Sequence, residues 1–376
     1  MTKIIYLDSA ATTPMYKEVA KEMDKFYFES YGNPSSAHSL GDEAKEAMNN
    51  ARKKLAEEIR AKAHEIVFTS GSTESNNFAF FGLVRAYKNK KKIIISSIEH
   101  SSVFEICKAL KKEGYTIIEI PVDNRGFINI DRLKNEIDNN TLLVSVMHVN
   151  NEIGVIQDIE NIGRICRKNN VFFHSDCAQS FGKLDIHVKK MNIDLLTASA
   201  HKIGGPRGIG LLYAREGIDI YPLIQGGGQE RGLRGGTENV PGIAGFAKAL
   251  DIIKKTDKEK IKELRNYFIF ELEKIRGRIN GSKEKRIYNN INVSFSNMDG
   301  ENLAAFLSHK KIYVSAGSAC ETKKRKESKV LRELGLNEKE RSGSIRISLN
   351  EKISKRDIDY VIREIRNAVE KLNIKC

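Results

Sequence analysis

Residues 171–179 read VFFHSDCAQ, an apolar run that leads directly into the polar side chains of His174 and Asp176. Residues 171–174 have the β-branched and aromatic composition of a buried strand. From about residue 41 to residue 215, similar short runs alternate with segments of helical periodicity. Such alternation is typical of βαβ units. We therefore predict an α/β fold with a largely parallel central sheet and helices on both faces.

The same patterns locate the individual elements. Strands are predicted at residues 65–69, 92–97, 115–120, 142–147, 171–174, 194–198 and 209–213, and helices at 74–87, 103–112 and 159–169. After Pro241 the pattern changes to a long, charge-rich helix running toward Ile275. Strands at 291–295 and 344–348 and helices at 301–308 and from Ser354 to about Leu372 then predict a smaller α+β domain.

Composition excludes several classes of protein. The 376 residues suffice for two domains, and 40% hydrophobic and 30% charged content is typical of a globular chain. No stretch of 18 uncharged apolar residues occurs, and residues 4–7 are too short for the core of a signal peptide. The five cysteines are scattered without a CxxC pair, which argues against a disulfide framework or a zinc site. We therefore expect a cytoplasmic protein.

The positive charge is concentrated toward the C-terminus. The formal net charge is +14, and residues 251–376 carry 30 basic and 19 acidic side chains, or +11 of that total. A basic region of this kind can bind nucleic acid, an anionic surface or an acidic protein. It can equally be a solvated, lysine-rich surface.

Polar clusters follow the predicted strands of the large domain. In open α/β sheets, ligands bind beyond the carboxyl ends of the strands. Several clusters at such positions therefore predict one shared site. The clusters are Ser70–Thr73, Glu99–His100, Asn150–Glu152, His174–Asp176 and Ser199–Lys202.

The residue types leave alternatives open at each position. Gly71-Ser72-Thr73 opens a helix and could hold a phosphate or be an ordinary N-cap. Asp176 needs a partner, which could be a protonated pyridine nitrogen, an arginine or a helix terminus. Lys202 lies in a loop rich in Gly and Pro, where lysine is usually solvated, and it becomes a nucleophile only beside an aldehyde-bearing cofactor. His100 could stack on an aromatic ring, shuttle a proton or be structural.

Cys320 is the cysteine with the most reactive surroundings. It ends a run of small residues, Ser315–Ala319, and precedes the cationic segment ETKKRK of residues 321–326. Neighbouring cations favour the thiolate form. Cys107 and Cys166 lie in helix-like segments, where buried and inert thiols are the default.

Taken in order, these segments resemble the cysteine desulfurases of the NifS/IscS kind, within the class V aminotransferase group of pyridoxal-phosphate enzymes. The resemblance covers nearly the whole chain. It implies a fold-type I transferase, with a large cofactor-binding domain at residues 14–250. A small domain, formed by residues 1–13 and 251–376, would carry the loop of Cys320. The matching segments are YLDSAATTP (6–14), YGNPSS (31–36), TSGSTESNN (69–77), EH (99–100), NNEIG (150–154), HSDCAQ (174–179), SAHKIGGPRGIG (199–210), GGQERGLRGGTEN (227–239) and GSAC (317–320).

The resemblance implies a role for each matching side chain. Lys202 would bind pyridoxal phosphate covalently, Asp176 would pair with the pyridine nitrogen, and Gln179 would hydrogen-bond the phenolic oxygen. His100 would stack on the ring, and Asn151 and Arg346 would hold the substrate carboxylate. The phosphate would be bound by Ser72, Thr73, Ser199 and His201, with Thr237 coming from the other subunit of a homodimer.

The resemblance further implies conversion of L-cysteine to L-alanine, with the sulfur held as a persulfide on Cys320. The sulfur would supply iron–sulfur cluster assembly or thiolation through an acceptor protein such as an iron–sulfur scaffold. A selenocysteine lyase or another class V enzyme is the alternative. A nucleic-acid-binding or scaffold protein that keeps only the fold is a third reading, although no intact nucleic-acid-binding motif accompanies the charge.

Three features depart from the family pattern. Cys177 stands where alanine is common, and Ser9 stands where asparagine is usual. Residues 323–326 (KKRK) are more basic than the family leads one to expect. We interpret this run as serving thiolate formation at Cys320 and docking of an acidic sulfur acceptor.

Overall fold

The computed structural model describes residues 3–296, 298–316 and 328–373. The helices are α1 (Lys17–Phe28), α2 (Ser39–Glu58), α3 (Ser72–Ala86), α4 (Ser101–Lys112), α5 (Ile130–Glu136), α6 (Ile159–Lys168), α7 (Val240–Ile253), α8 (Lys258–Lys274), α9 (Gly300–His309), α10 (Lys329–Glu333), α11 (Glu338–Ser342) and α12 (Lys355–Asn373). The strands are β1 (Ile5–Tyr6), β2 (Ile66–Thr69), β3 (Lys92–Ser96), β4 (Thr116–Ile120), β5 (Thr141–Ser145), β6 (Phe172–Asp176), β7 (Leu195–Ser199), β8 (Gly210–Ala214), β9 (Arg278–Ile279), β10 (Asn290–Ser294), β11 (Ile312–Tyr313), β12 (Ser315–Ala316) and β13 (Ser344–Ser348).

Seven strands form the main sheet in the order β2-β8-β7-β6-β5-β3-β4. All run in the same direction except β8, which pairs antiparallel with both of its neighbours. The predicted α/β fold with a mainly parallel sheet is therefore confirmed. Because six strands point the same way, their carboxyl ends meet at one edge, and the predicted polar clusters lie there.

Apolar side chains cover both faces of this sheet. One face packs against α2, α6 and α7 through residues such as Leu55, Ile162 and Phe246. The other face packs against α3 and α4 through Phe78 and Leu110. Each large apolar side chain buried in this way contributes about 1.5–3 kcal/mol to folding.

A second core lies around the antiparallel sheet β12-β13-β10-β9 and the helices α8, α9 and α12. The N-terminal strand β1 joins this core by pairing in parallel with β11. The chain then runs toward the main sheet, and Asp8 forms an isolated β-bridge with Ser348. Residues 8–13 thus connect the smaller core to the carboxyl edge of the main sheet.

The prediction of one long helix after Pro241 is wrong, because the structure has two helices, α7 and α8, in this region. The Asp257 side chain accepts a hydrogen bond from the Lys260 backbone N–H at 3.0 Å and so caps a new helix. Asp is among the strongest N-cap residues. The last helix begins near the predicted residue, Ser354, where Ser354 and Asp357 bond reciprocally through side chain and backbone.

The cysteines of the main domain are buried, as the sequence predicts for Cys107 and Cys166. Burial raises the pKa of both thiols, and it raises that of Cys177 to about 12. These three thiols are therefore poor nucleophiles at neutral pH. Within the described residues, no helix is both long and apolar enough to cross a membrane.

Candidate active site

A cavity of about 740 Å³ opens at the carboxyl edge of the main sheet. Ten of the predicted site residues line it, and they come from strand ends, helix starts and one strand of the smaller sheet. These residues are Ser72, Thr73, His100, Asn151, Asp176, Gln179, Ser199, His201, Lys202 and Arg346. Thr237 is exposed and does not belong to this lining, and Cys320 lies outside the described residues.

Lys202 ends a short 3-10 turn, Ala200–Lys202, that follows β7. Its Nζ donates hydrogen bonds to the carbonyl oxygens of Ala10 and Ala11, at 2.7 and 2.8 Å. The following turn needs glycine at position 204, where φ is +81° and a Cβ would overlap the Tyr16 ring. The lysine is therefore held at the wall of the cavity by backbone acceptors from the N-terminal segment.

Asp176 ends β6 and is 4% exposed. Its Oδ2 accepts a hydrogen bond from Asn76 Nδ2 at 2.9 Å, and its Oδ1 accepts one from the Ala178 N–H at 2.9 Å. Asn76 lies in the second turn of α3 and also donates to Ser102 Oγ. These neutral donors orient the carboxylate without neutralising it, so its charge is available to a cationic group in the cavity.

Glu99 lines the same cavity, but its chemistry differs from that of Asp176. Burial, and next the negative charge of Asp176, raise the pKa of Glu99 well above its ordinary value. Oε1 accepts a hydrogen bond from the Met147 N–H at 2.7 Å, and Oε2 has no partner among the described residues. Two carboxyl groups thus lie in one cavity, and the environment of Glu99 favours its protonated form.

His100 and Gln179 are fixed by their own elements. His100 is the N-cap of α4, and its Nδ1 accepts a hydrogen bond from the Ser102 N–H at 3.2 Å. This bond places the ring proton of a neutral imidazole on Nε2. Gln179 Nε2 donates to the Ala10 carbonyl oxygen at 2.8 Å, the same atom that accepts from Lys202.

One end of the cavity has the features of an anion site. The first backbone N–H groups of α3 have no carbonyl partner within the helix, and the buried Ser72 Oγ has no partner among the described residues. A Cβ on Gly210 would lie 2.6 Å from Gly71 Cα, so only glycine permits this close approach of β8 to the helix start. Arg207 also lines this cavity and adds positive charge.

His201 bonds through Nδ1 to Thr12 Oγ1 at 3.1 Å. Burial, followed by the charges of Lys202, Arg207 and Lys183, lowers the pKa of His201 to about 4. The imidazole is therefore neutral at pH 7.

Arg346 lies on β13 and is 2% exposed. Its guanidinium donates to the Asn151 carbonyl oxygen at 3.0 Å, to Asp8 Oδ1 at 2.7 Å and to Ser315 Oγ at 3.1 Å. Nε has no partner among the described residues. The ion pair with Asp8, which the sequence pattern does not predict, orients the guanidinium group. The guanidinium can still donate hydrogen bonds to a group in the cavity.

A layer of neutral imidazoles lies beneath Asp176. His174 bonds Ser145 Oγ at 2.9 Å and Thr197 Oγ1 at 3.2 Å, and it packs edge-on against the Phe80 ring. Burial lowers the pKa of both His174 and His148 from 6.5 to about 4. Between these two pH values the unfolded chain binds protons that the folded chain does not.

We therefore expect the free energy of unfolding to fall as the pH falls from about 6.5 to about 4, by about 3 kcal/mol for each buried imidazole. Urea unfolding at several pH values measures this dependence. His174→Asn should flatten the curve relative to the parent protein, whereas His309→Gln at an exposed site should not. An unchanged slope in His174→Asn would contradict the assignment.

Sequence reasoning missed several groups that define the site. The carbonyls of Ala10 and Ala11 are backbone atoms and leave no side-chain signal. Asn76 lies within the segment TSGSTESNN, where the sequence pattern gives it no role of its own, and the pairing of Asp8 with Arg346 joins residues 338 positions apart. Glu99 was recognised only as part of a polar cluster, although its position at the end of an apolar strand was a usable signal.

Comparison with known proteins agrees with this geometry. Residues 5–361 match the aminotransferase class-V family. The cysteine desulfurase IscS of Dictyoglomus turgidum is 44% identical over 378 residues, covering 99% of this chain and 96% of that protein. A solved NifS-like protein superposes with a TM-score of 0.93 at 38% identity, covering 98% of this chain and all of the other. A structure described as SspA in complex with cysteine has a TM-score of 0.84 at 38% identity, covering 92% and 99% of the two chains.

The fold and the cavity thus define an α/β enzyme of the kind that uses pyridoxal phosphate. The chain belongs to the aminotransferase class-V family and, within it, to the cysteine desulfurases.

The residues of the cavity fit this cofactor. The helix start suits a phosphate group, since the Ser72 hydroxyl there has no partner within the part of the chain that the structure describes. The Asp176 carboxylate, held by neutral donors, suits a protonated pyridine nitrogen. The Lys202 amine lines the same cavity and suits the aldehyde carbon.

Proposed function

We propose that the chain removes sulfur from L-cysteine, releasing L-alanine and leaving a persulfide on Cys320. The observation that carries the proposal is the meeting of Lys202, Asp176 and the α3 N-terminus in one cavity, which Arg346 also lines. A cofactor-dependent reaction on an amino acid requires four kinds of group. They are an amine, a carboxylate, an anion site and a guanidinium, and all four line this cavity.

When bound, pyridoxal phosphate supplies an aromatic ring that accepts electron density from the substrate Cα. The Asp176 carboxylate stabilises positive charge at the ring nitrogen, and His100 lines the cavity with its Nδ1 already bonded. Arg346 binds the substrate carboxylate and so orients the Cα–H bond. The Lys202 amine accepts the Cα proton at Nζ.

The sulfur step then involves the Cys320 thiolate. A bond forms between Cys320 Sγ and the substrate sulfur as the Cβ–S bond breaks, and the electron pair stays with Cβ. Cβ takes a proton and becomes the methyl group of alanine, and the transferred sulfur keeps one hydrogen. Substrate and thiol thus become alanine and persulfide without an external oxidant or reductant.

The flanks of the Cys320 segment support this role. Ser315 bonds Arg346, and Ser328 donates from Oγ to the buried Glu152 carboxylate at 2.5 Å. Lys329 and Val330 line the cavity. The chain therefore enters and leaves this segment at residues that contact the candidate active site.

The proposed enzyme is a homodimer in which Thr237 reaches the partner's phosphate site. In its own chain Thr237 is exposed. The preceding loop is anchored by Glu230, which pairs with Arg52 at 2.6 Å and accepts the Phe68 N–H. Exposed apolar side chains also favour association, namely Tyr27, Phe28, Tyr31, Tyr221 and Ile224.

The proposed sulfur acceptor is a protein such as an iron–sulfur scaffold, with an acidic surface to match residues 323–326. Cytoplasmic location is part of the same proposal.

The proposal is tested by supplying L-cysteine and measuring alanine together with protein-bound persulfide. We expect equimolar alanine and persulfide in the first turnover, with the extra sulfur mapped by mass spectrometry to Cys320. Cys177→Ala is the matched control and should leave the adduct in place, because the Cys177 thiol is buried with a raised pKa. Alanine without an adduct, or an adduct on Cys177, would contradict the assignment.

Arg346 offers a separate test of substrate orientation. Arg346→Lys keeps one positive charge and removes the fork that can bond a carboxylate at two points. Hydrogen bonds to charged groups are worth about 1.5–3 kcal/mol, so kcat/KM for L-cysteine should fall by about 10-fold to 100-fold, mainly through KM. Arg356→Lys, at an exposed site, should have no effect. A fall confined to kcat would show that Arg346 does not bind substrate.

A further inference from the structure

Lys183 is a buried lysine with no acidic partner among the described residues. It follows Gly182, which has φ +70°, in the turn after β6, and it is 4% exposed. No hydrogen bond or ion pair within the described part of the chain involves its Nζ. The charges that act on it come from Lys202 and Lys258, and both are positive. Because an unpaired ammonium is costly to bury, such a side chain either loses its proton or acquires a negative partner.

Lys183 lines a second cavity, which has a volume of about 60 Å³. A single water needs about 10–15 Å³, whereas sites for drug-sized ligands begin at about 300 Å³. The cavity therefore has room for a few waters or a small ion and excludes a second cofactor molecule. The exposed side chains of Glu351 and Lys352 also line it, so that ions can enter from solvent.

The polar groups of this lining are mainly hydrogen-bond donors. Ser9 lines the cavity, and its buried Oγ has no partner among the described residues. Burial is the largest cause that raises the pKa of the Tyr16 and Tyr288 phenols, so both keep their protons at neutral pH. Glu351 supplies a carboxylate to the lining, but its charge acts on the two tyrosines and is not among those that act on Lys183. The inner part of the cavity thus suits an anion.

We propose that this cavity binds a small monovalent anion of the halide type, chloride in the cell, between the Lys183 amine and the Ser9 hydroxyl. The anion offsets the cost of burying a charged lysine. Neither residue lines the main cavity, so the site is separate from the groups that would hold cofactor and substrate. Ser9 is also a position at which this chain departs from the family pattern.

Binding of the anion is coupled to a proton. Burial, and then the charges of Lys202 and Lys258, lower the pKa of Lys183 to about 7. Because the anion binds the charged amine, affinity is highest below this pH and falls as the pH rises through it. The apparent Kd should therefore be tenfold or more higher at pH 9 than at pH 6. The titratable or charged groups that face Lys183 are Lys202, Lys258, Lys352, Glu351, Tyr16 and Tyr288.

The experiment measures the line width of the chloride-35 NMR signal in solutions of the enzyme with its cofactor bound. Sodium chloride is exchanged for sodium gluconate at constant ionic strength, because gluconate is too large for the cavity. The parent protein should broaden the signal saturably. Lys183→Met should abolish this broadening, and Ser9→Ala should raise the Kd by about tenfold. Lys53→Met, at an exposed site, is the matched control and should bind as the parent does.

Lys183→Arg separates the charge from the proton. Its guanidinium stays protonated, so chloride should still bind, with a Kd that is constant between pH 6 and pH 9. Broadening without saturation in the parent protein, or broadening that persists unchanged in Lys183→Met, would overturn the proposal.

A second measurement needs no variant and so does not depend on the folding of Lys183→Met. Crystals of the parent enzyme soaked in sodium bromide should show an anomalous scattering peak in the small cavity, beside Lys183 Nζ. A cavity that holds only water in these crystals would equally overturn the proposal. Because neither readout depends on turnover, the result does not depend on whether the enzyme makes alanine.

Discussion

Lys202→Ala should reduce alanine formation from L-cysteine by at least about 10³-fold. The substitution removes the amine that accepts the Cα proton and bonds the aldehyde carbon. It leaves the α3 N-terminus and Asp176 unchanged, so the protein should still bind pyridoxal phosphate noncovalently in equilibrium dialysis. Steady-state alanine production and the visible absorbance of the bound cofactor measure the two effects separately.

Lys202→Arg is the matched control for charge. Arginine can still donate to the Ala10 and Ala11 carbonyls, but its guanidinium remains protonated and cannot act as a base. We expect alanine formation to fall by the same factor as in Lys202→Ala. Activity within tenfold of the parent enzyme in either variant would show that another group accepts the proton.

Asp176→Asn should lower kcat by about 10² to 10³-fold. The amide has the shape of the carboxylate, and its oxygen can still accept from either Asn76 or the Ala178 N–H. The negative charge that would stabilise a protonated ring nitrogen is lost. Cofactor binding and thermal stability should change much less than kcat, which distinguishes an electrostatic effect from unfolding.

Glu99→Gln provides the comparison within the same cavity. Because burial raises the pKa of Glu99 and so favours its neutral form, we expect replacement by a neutral amide to change the charge of the cavity little. The amide oxygen can still accept from the Met147 N–H. We expect kcat within about fivefold of the parent enzyme. Equal losses of kcat in Glu99→Gln and Asp176→Asn would mean that activity depends on the shape of the side chains in the cavity and not on the negative charge of Asp176.

Local patterns predicted the parts of the fold that local forces decide. The strand at residues 344–348 and the polar residues at the carboxyl ends of β6 and β7 were found because apolar runs and polar termini are visible in sequence. The break between α7 and α8 was missed, because the Asp257 cap competes with an otherwise continuous helical pattern.

Features that depend on contacts between distant parts of the chain could not be predicted from local sequence patterns. The reversed direction of β8 depends on pairing with β2 and β7, not on its own composition. The Lys202 acceptors come from residues about 190 positions away, as backbone oxygens that carry no residue-specific signal.

The path of residues 8–13 between the two cores has a consequence for synthesis of the protein. Asp8 and Ala10 make their hydrogen bonds to Arg346 and Ser348, each 338 residues further along the chain. The segment that carries the carbonyl acceptors of Lys202 therefore makes these two bonds only after β13 has left the ribosome. The main sheet can form earlier, whereas the catalytic centre must assemble last, when nearly the whole chain has been made.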